Sequence, residues 1–99
     1  MEHALPGDDL IRQGLADLRE GRESIGSLLV CIGASRLRSA GLELRDDLPI
    51  YPQYPEHRLY DLLAEEDSDS AHSRYNAYLQ RLISFERAAE MIFSRKRLQ

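Results

Sequence analysis

From residue 71 onward the apolar side chains Ala71, Tyr75, Tyr78, Leu82, Phe85, Ala89 and Ile92 follow alternating steps of four and three residues. That spacing puts all of them on one stripe of an α-helix and suits packing against a nearly parallel or antiparallel helix. Leu79, Ile83, Ala88 and Met91 widen the stripe, as in a bundle of more than two helices. A helix over about 70–96 is the strongest single constraint on the fold. It begins after Asp67-Ser68-Asp69-Ser70, a break rich in capping residues.

The N-terminal part has a second helical pattern. Pro6-Gly7-Asp8-Asp9 supplies a breaker and then carboxylates suited to the positive end of a helix dipole. Ile11, Leu15, Leu18, Ile25, Leu29 and Ile32 then recur at helical spacing. Glu20-Gly21-Arg22-Glu23-Ser24 interrupts them, and two readings compete. Gly21 could end one helix and Ser24 cap another, giving a tight hairpin. The apolar phase favours one long helix over about 8–40, because Leu18 to Ile25 is seven residues and Leu15 to Leu29 fourteen. Gly14, Gly21, Gly26 and Gly33 would lie inside it, each costing on the order of 1 kcal/mol relative to Ala. Close approach of another helix or chain is the simplest reason to keep them. Gly41 reads as the stop.

Between these segments, residues 42–55 contain three prolines, which exclude helix and predict an extended connector. Leu48, Ile50, Tyr51 and Tyr54 make it apolar enough to pack along the bundle. A short helix over about 56–66 follows, with Pro55 near its start, Glu56 in its first turn and Leu59, Leu62 and Leu63 on its apolar face.

The expected fold is therefore all-α, one helical domain over 1–99 with two long helices and a short one. Rods of about 50 Å and 40 Å at 1.5 Å per residue would leave much of each stripe wet in a monomer. Dimerisation into a four-helix bundle removes that problem. If the first element is a hairpin, a four-helix monomer serves equally well.

Composition narrows the function classes. The 99 residues carry 42% hydrophobic and 30% charged side chains, globular rather than disordered. A net charge of −4 disfavours general attraction to nucleic acid or anionic membrane. The basic cluster Arg95-Lys96-Arg97 complements the dipole at a helix C-terminus. The lone cysteine, Cys31, sits in the apolar run Leu28–Ile32 and reads as a buried hydrophobe. The first residues lack the features of a signal peptide, and no segment has transmembrane length, so the cytoplasm is the expected compartment.

Few residues carry recognisable chemistry. The acidic run Asp61, Glu65, Glu66, Asp67, Asp69 with His72 matches neither a calcium loop nor zinc spacing, and reads as solvated surface. Glu-x-x-His is absent, and Glu86 and Glu90 are assigned to the polar flank of the last helix. Nucleophile, phosphate-loop and dinucleotide motifs are absent, so no metal or cofactor is implied. The densest candidate site is Tyr51, Tyr54, His57, Arg58 and Tyr60, whose aromatic and guanidinium groups make good binding anchors. The plainer reading is a connector whose tyrosines cover the core with wet hydroxyls.

The segment Pro55-Glu56-His57-Arg58-Leu59-Tyr60-Asp61-Leu62-Leu63, lying between helices, resembles the middle of HEPN helical-bundle domains over about a tenth of the chain. The resemblance implies a nucleotide- or RNA-binding domain, or one accompanying a nucleotidyltransferase. Ribonuclease members carry Arg, four to six residues, then His, and neither His57 nor His72 has that spacing. The leading expectation is a protein–protein interaction module, as a homo-oligomer or a subunit of a small complex. An acidic, antitoxin-like partner acting through residues 61–69 is a further alternative.

Overall fold

The computed structural model describes residues 7–41 and 54–98, with side chains through Ile92. Four α-helices follow one another: α1 Asp8–Arg19, α2 Ile25–Ser39, α3 Pro55–Glu66 and α4 Ala71–Leu98. No strand occurs among the described residues. The connector expected over 42–55, including Tyr51, lies outside them except for its last two residues, and so do the side chains of Arg95, Lys96 and Arg97.

The single long helix over 8–40 does not form. Its place is taken by a hairpin of α1 and α2, and three local causes act together. Gly21 adopts φ 73°, a left-handed conformation that ends α1. Ser24, extended at φ −152°, caps α2 reciprocally: its Oγ accepts from the Ser27 N–H at 3.1 Å, and Ser27 Oγ accepts from the Ser24 N–H at 2.8 Å. Asp17 then ties the two helix ends together. Its carboxylate accepts from Ser24 Oγ at 2.8 Å and from Gln13 Nε2 at 3.0 Å, while its backbone carbonyl accepts from Arg22 N at 2.8 Å. These bonds hold the Asp17 carboxyl below the usual carboxylate range, with Ser24 contributing most.

The preserved apolar phase across residues 20–24 reflects a shared core, not a continuous helix. Ile11 and Leu18 from α1 and Leu28, Leu29, Val30 and Leu37 from α2 enter one buried cluster. Leu59 and Leu63 from α3 and Ala71, Leu82, Phe85 and Ala89 from α4 complete it. Each helix needs its own apolar face, so periodicity is enforced within helices and is indifferent to the turn.

The helix glycines are used inside the chain. A Cβ on Gly14 would lie 2.3 Å from the Gly26 carbonyl oxygen, so α1 and α2 cross backbone to backbone. A Cβ on Gly33 would meet Glu86 Oε2 at 2.6 Å and a Leu82 methyl at 2.9 Å, so α4 seats against α2 there. Gly33 faces Leu82 and Glu86, and Arg36 faces Glu86 and Glu90. The pairs advance together, so α2 and α4 run in the same direction. Four helices thus come from one chain, and a second copy is not needed to supply them.

α4 spans about 42 Å and α2 about 23 Å. Along the stripe Ala71, Leu82, Phe85 and Ala89 are buried and Tyr75 and Tyr78 half-buried, and the next apolar residues, Met91 and Ile92, are exposed at 60% and 42%. Among the described residues, no helix is long and apolar enough to cross a membrane.

Candidate functional site

Helix α3 starts as its sequence requires. Pro55 occupies the first turn, where a missing N–H costs nothing, and Glu56 complements the dipole. Leu59 and Leu63 point into the core, which sends Glu56, His57, Tyr60 and Asp61 to the opposite arc. Across from that arc stands Tyr75, in the first turns of α4. The rings of Tyr60 and Tyr75 meet edge to face, centroids 5.6 Å apart at 64°. Together these five residues line an open cleft of about 350 Å³ between α3 and α4. Burial raises the Tyr75 phenol pKa, and the nearby Glu56 charge raises it further.

The sequence-derived cluster divides in the structure. His57 and Tyr60 line the cleft. Tyr54, 61% exposed, stacks on His57 at 5.6 Å and extends the aromatic rim. Arg58 turns the other way and belongs to the scaffold. It donates to both oxygens of Glu23, at 2.7 and 2.9 Å, and to Glu65 at 3.4 Å. This two-pronged pair ties α3 to the residue before the α2 cap and lowers the Glu23 pKa while raising that of Arg58.

The acidic run is largely taken up by local structure. Glu65 pairs with Arg58 and Glu66 with Arg74. Asp67 accepts from the Asp69 N–H and from Ser70 Oγ in the turn before α4. His72 contacts Asn76 at 3.3 Å. Among the described residues no group of three His, Cys, Asp or Glu side chains is placed to hold a metal ion. Cys31 is half-buried, and loss of hydration raises its thiol pKa.

One assignment is corrected. Glu86 is not on a polar flank but 3% exposed, in the α2–α4 contact. The missing side chain at Gly33 gives its carboxylate room, and Arg36 lies 3.6 Å away. Burial raises the Glu86 pKa, with Arg36 opposing the shift and Glu90 adding to it. Asp17 carries no signal in the sequence pattern, because the burial of a polar residue depends on what a distant segment brings to it. The cleft itself joins Glu56, Asp61 and Tyr75, which the sequence presents as a dipole partner, a member of an acidic run and a core stripe residue. Comparison of the chain with protein-family models, with curated proteins and with solved structures found no match.

Proposed function

We propose that this chain is a helical interaction module, a subunit of a small complex, that engages a protein partner through the α3–α4 cleft. The observation that carries the reading is the exposed aromatic rim of Tyr54, His57 and Tyr60 around an open cleft floored by Tyr75. Tyrosines supply large contact area at low entropic cost and recur at the energetic centres of interfaces. The rim rests on a fixed base, because Leu59 and Leu63 are fully buried beneath it and Arg58 clamps the helix to Glu23. Action in the cytoplasm is part of the proposal, in keeping with an unpaired thiol at Cys31.

The test is affinity capture with the wild type and with Tyr54→Ala and Tyr60→Ala. Captured proteins are identified by mass spectrometry, and binding is then rebuilt from purified components. A partner lost with both variants, whose melting temperatures stay near wild type, supports the reading. A partner retained by both sinks it. A second reading, self-association through the far end of α4, is favoured by the exposed Met91 and Ile92 that continue its stripe. Light scattering decides it: a dimer that Met91→Glu dissociates is the expected result, and a monomer over the whole concentration range rejects it.

A further inference from the structure

We propose that the α3–α4 cleft is a recognition site for an organic cation, an alkylguanidinium or alkylammonium head group of the kind carried by arginine and lysine. The inference deepens the interaction-module reading and rests on it for the source of the cation.

Charge placement makes the argument. Among the described residues every glutamate except Glu56 has an arginine partner: Glu20 with Arg22, Glu23 and Glu65 with Arg58, Glu66 with Arg74, and Glu86 and Glu90 with Arg36. Glu56 lines the cleft with Asp61, which is likewise outside the ion pairs of the described residues, and among the described residues no lysine or arginine lines it. The N-terminus of α3 contributes about +0.5 of a charge and a protonated His57 would add one more, and two carboxylates outweigh both. The described residues therefore give the cleft net negative charge.

Ring geometry completes the site. In the edge-to-face pair of Tyr60 and Tyr75, the ring presenting its edge keeps both of its faces clear of its partner. A ring face beside a carboxylate attracts a cation twice, through the quadrupole and through the charge. Glu56 is near enough to Tyr75 to raise its phenol pKa, so charge and ring share one small space. A volume of about 350 Å³ lies at the lower end of ligand pockets and accommodates a single head group with its stem.

The test is an NMR titration of the full chain with N-acetyl-arginine amide, its lysine counterpart and the neutral isostere N-acetyl-citrulline amide. Saturating shifts at the amides of residues 56–61 and 75 with the two cations, and none with citrulline, are expected. A Glu56→Gln/Asp61→Asn variant weakens arginine binding about tenfold, as does Tyr60→Ala; both keep the wild-type melting temperature. Equal response to citrulline, shifts located elsewhere, or undiminished binding by the double variant overturns the proposal. Agmatine separates the sources. Binding as tight as that of an arginine peptide indicates a free amine, and a peptide at least tenfold tighter indicates a protein side chain; either supports a cation site. The two readings fail separately. Cation-selective binding with partner capture that survives Tyr54→Ala and Tyr60→Ala removes the module and keeps the site. Charge-blind binding with capture lost in those variants does the reverse.

Discussion

Replacing Gly14 by alanine tests the α1–α2 crossing, because two effects of opposite sign meet at one atom. In an exposed helix interior the change stabilises by about 1 kcal/mol through helix propensity. Here the new methyl would lie 2.3 Å from the Gly26 carbonyl oxygen, 2.4 Å from its carbon and 3.0 Å from its Cα. These are backbone atoms, so no rotamer relieves the overlap. Ordinary contact begins near 3.4 Å, and reaching it requires the helices to part by about 1 Å. Parting thins the packing around Ile11 and Leu18, and a gap of 0.5–1 Å forfeits roughly a quarter to a half of each lost contact. With no rotamer to relieve the overlap, the cost falls at the upper end of the usual overpacking range of about 1–3 kcal/mol, so the net loss is about 2 kcal/mol after the propensity gain of about 1 kcal/mol. For a chain this size the melting temperature should fall by roughly 8–16 °C. Thermal and urea melts followed by circular dichroism read both quantities. Gly33→Ala is the matched control, since its new methyl meets only the ends of Glu86 and Leu82, which can rotate. It should cost under about 1 kcal/mol. A Gly14→Ala variant more stable than wild type would refute backbone contact between α1 and α2.

Three further outcomes follow from buried ionisable groups. The Asp17 carboxyl lies below its usual range in the fold, so its contribution is fully present above the ordinary carboxylate value near pH 4 and is lost as pH falls from there through the lowered value of the folded state. Asp17→Asn should be less stable at neutral pH and flatter in acid melts; an unchanged acid profile contradicts this. Glu86 is raised instead, so the folded state holds its proton more tightly, and its contribution declines as pH rises from the ordinary carboxyl value through the raised one. Glu86→Gln should match wild type at low pH and melt at or above it at neutral pH; a variant weaker only at neutral pH would show that the Arg36 pair outweighs burial. Cys31 should react with a disulfide reagent more slowly in the folded chain than in denaturant, and equal rates would reject its burial.

What was legible in the sequence was local. The stripe from Ala71 to Ile92 placed a helix over 70–96, and α4 covers Ala71–Leu98 with Leu82, Phe85 and Ala89 in the core. Pro55 and Glu56 marked the start of α3, which ends at Glu66 as expected. Both have a strong period or a breaker at the boundary. The α1–α2 turn has Gly21 and a cap, but the cap is Ser24 with Ser27, not Ser with Glu or Gln, so its signature is weak. The decisive term, contact between Gly14 and Gly26, joins residues on either side of the turn. Periodicity cannot register a contact that exists only after the chain has reversed.

The same reversal changes what the outer surface is free to do. With one long helix, the stripes of α1–α2 and α4 would require a second copy, and α3 would be an accessory. With the hairpin, Gly14 meets Gly26 and Gly33 meets α4, so the close neighbours the glycines required are found within the chain. Burial of Leu59 and Leu63 commits one side of α3 to that core, and Arg58 spends its charge on Glu23 and Glu65. The opposite arc then holds Glu56, Tyr60 and Asp61 facing Tyr75, outside the ion pairs of the described residues. Hairpin closure and an available cleft are therefore linked. Parting α1 from α2 should disturb the base under α3 through Glu23, and weaken cleft binding without touching a residue that lines it.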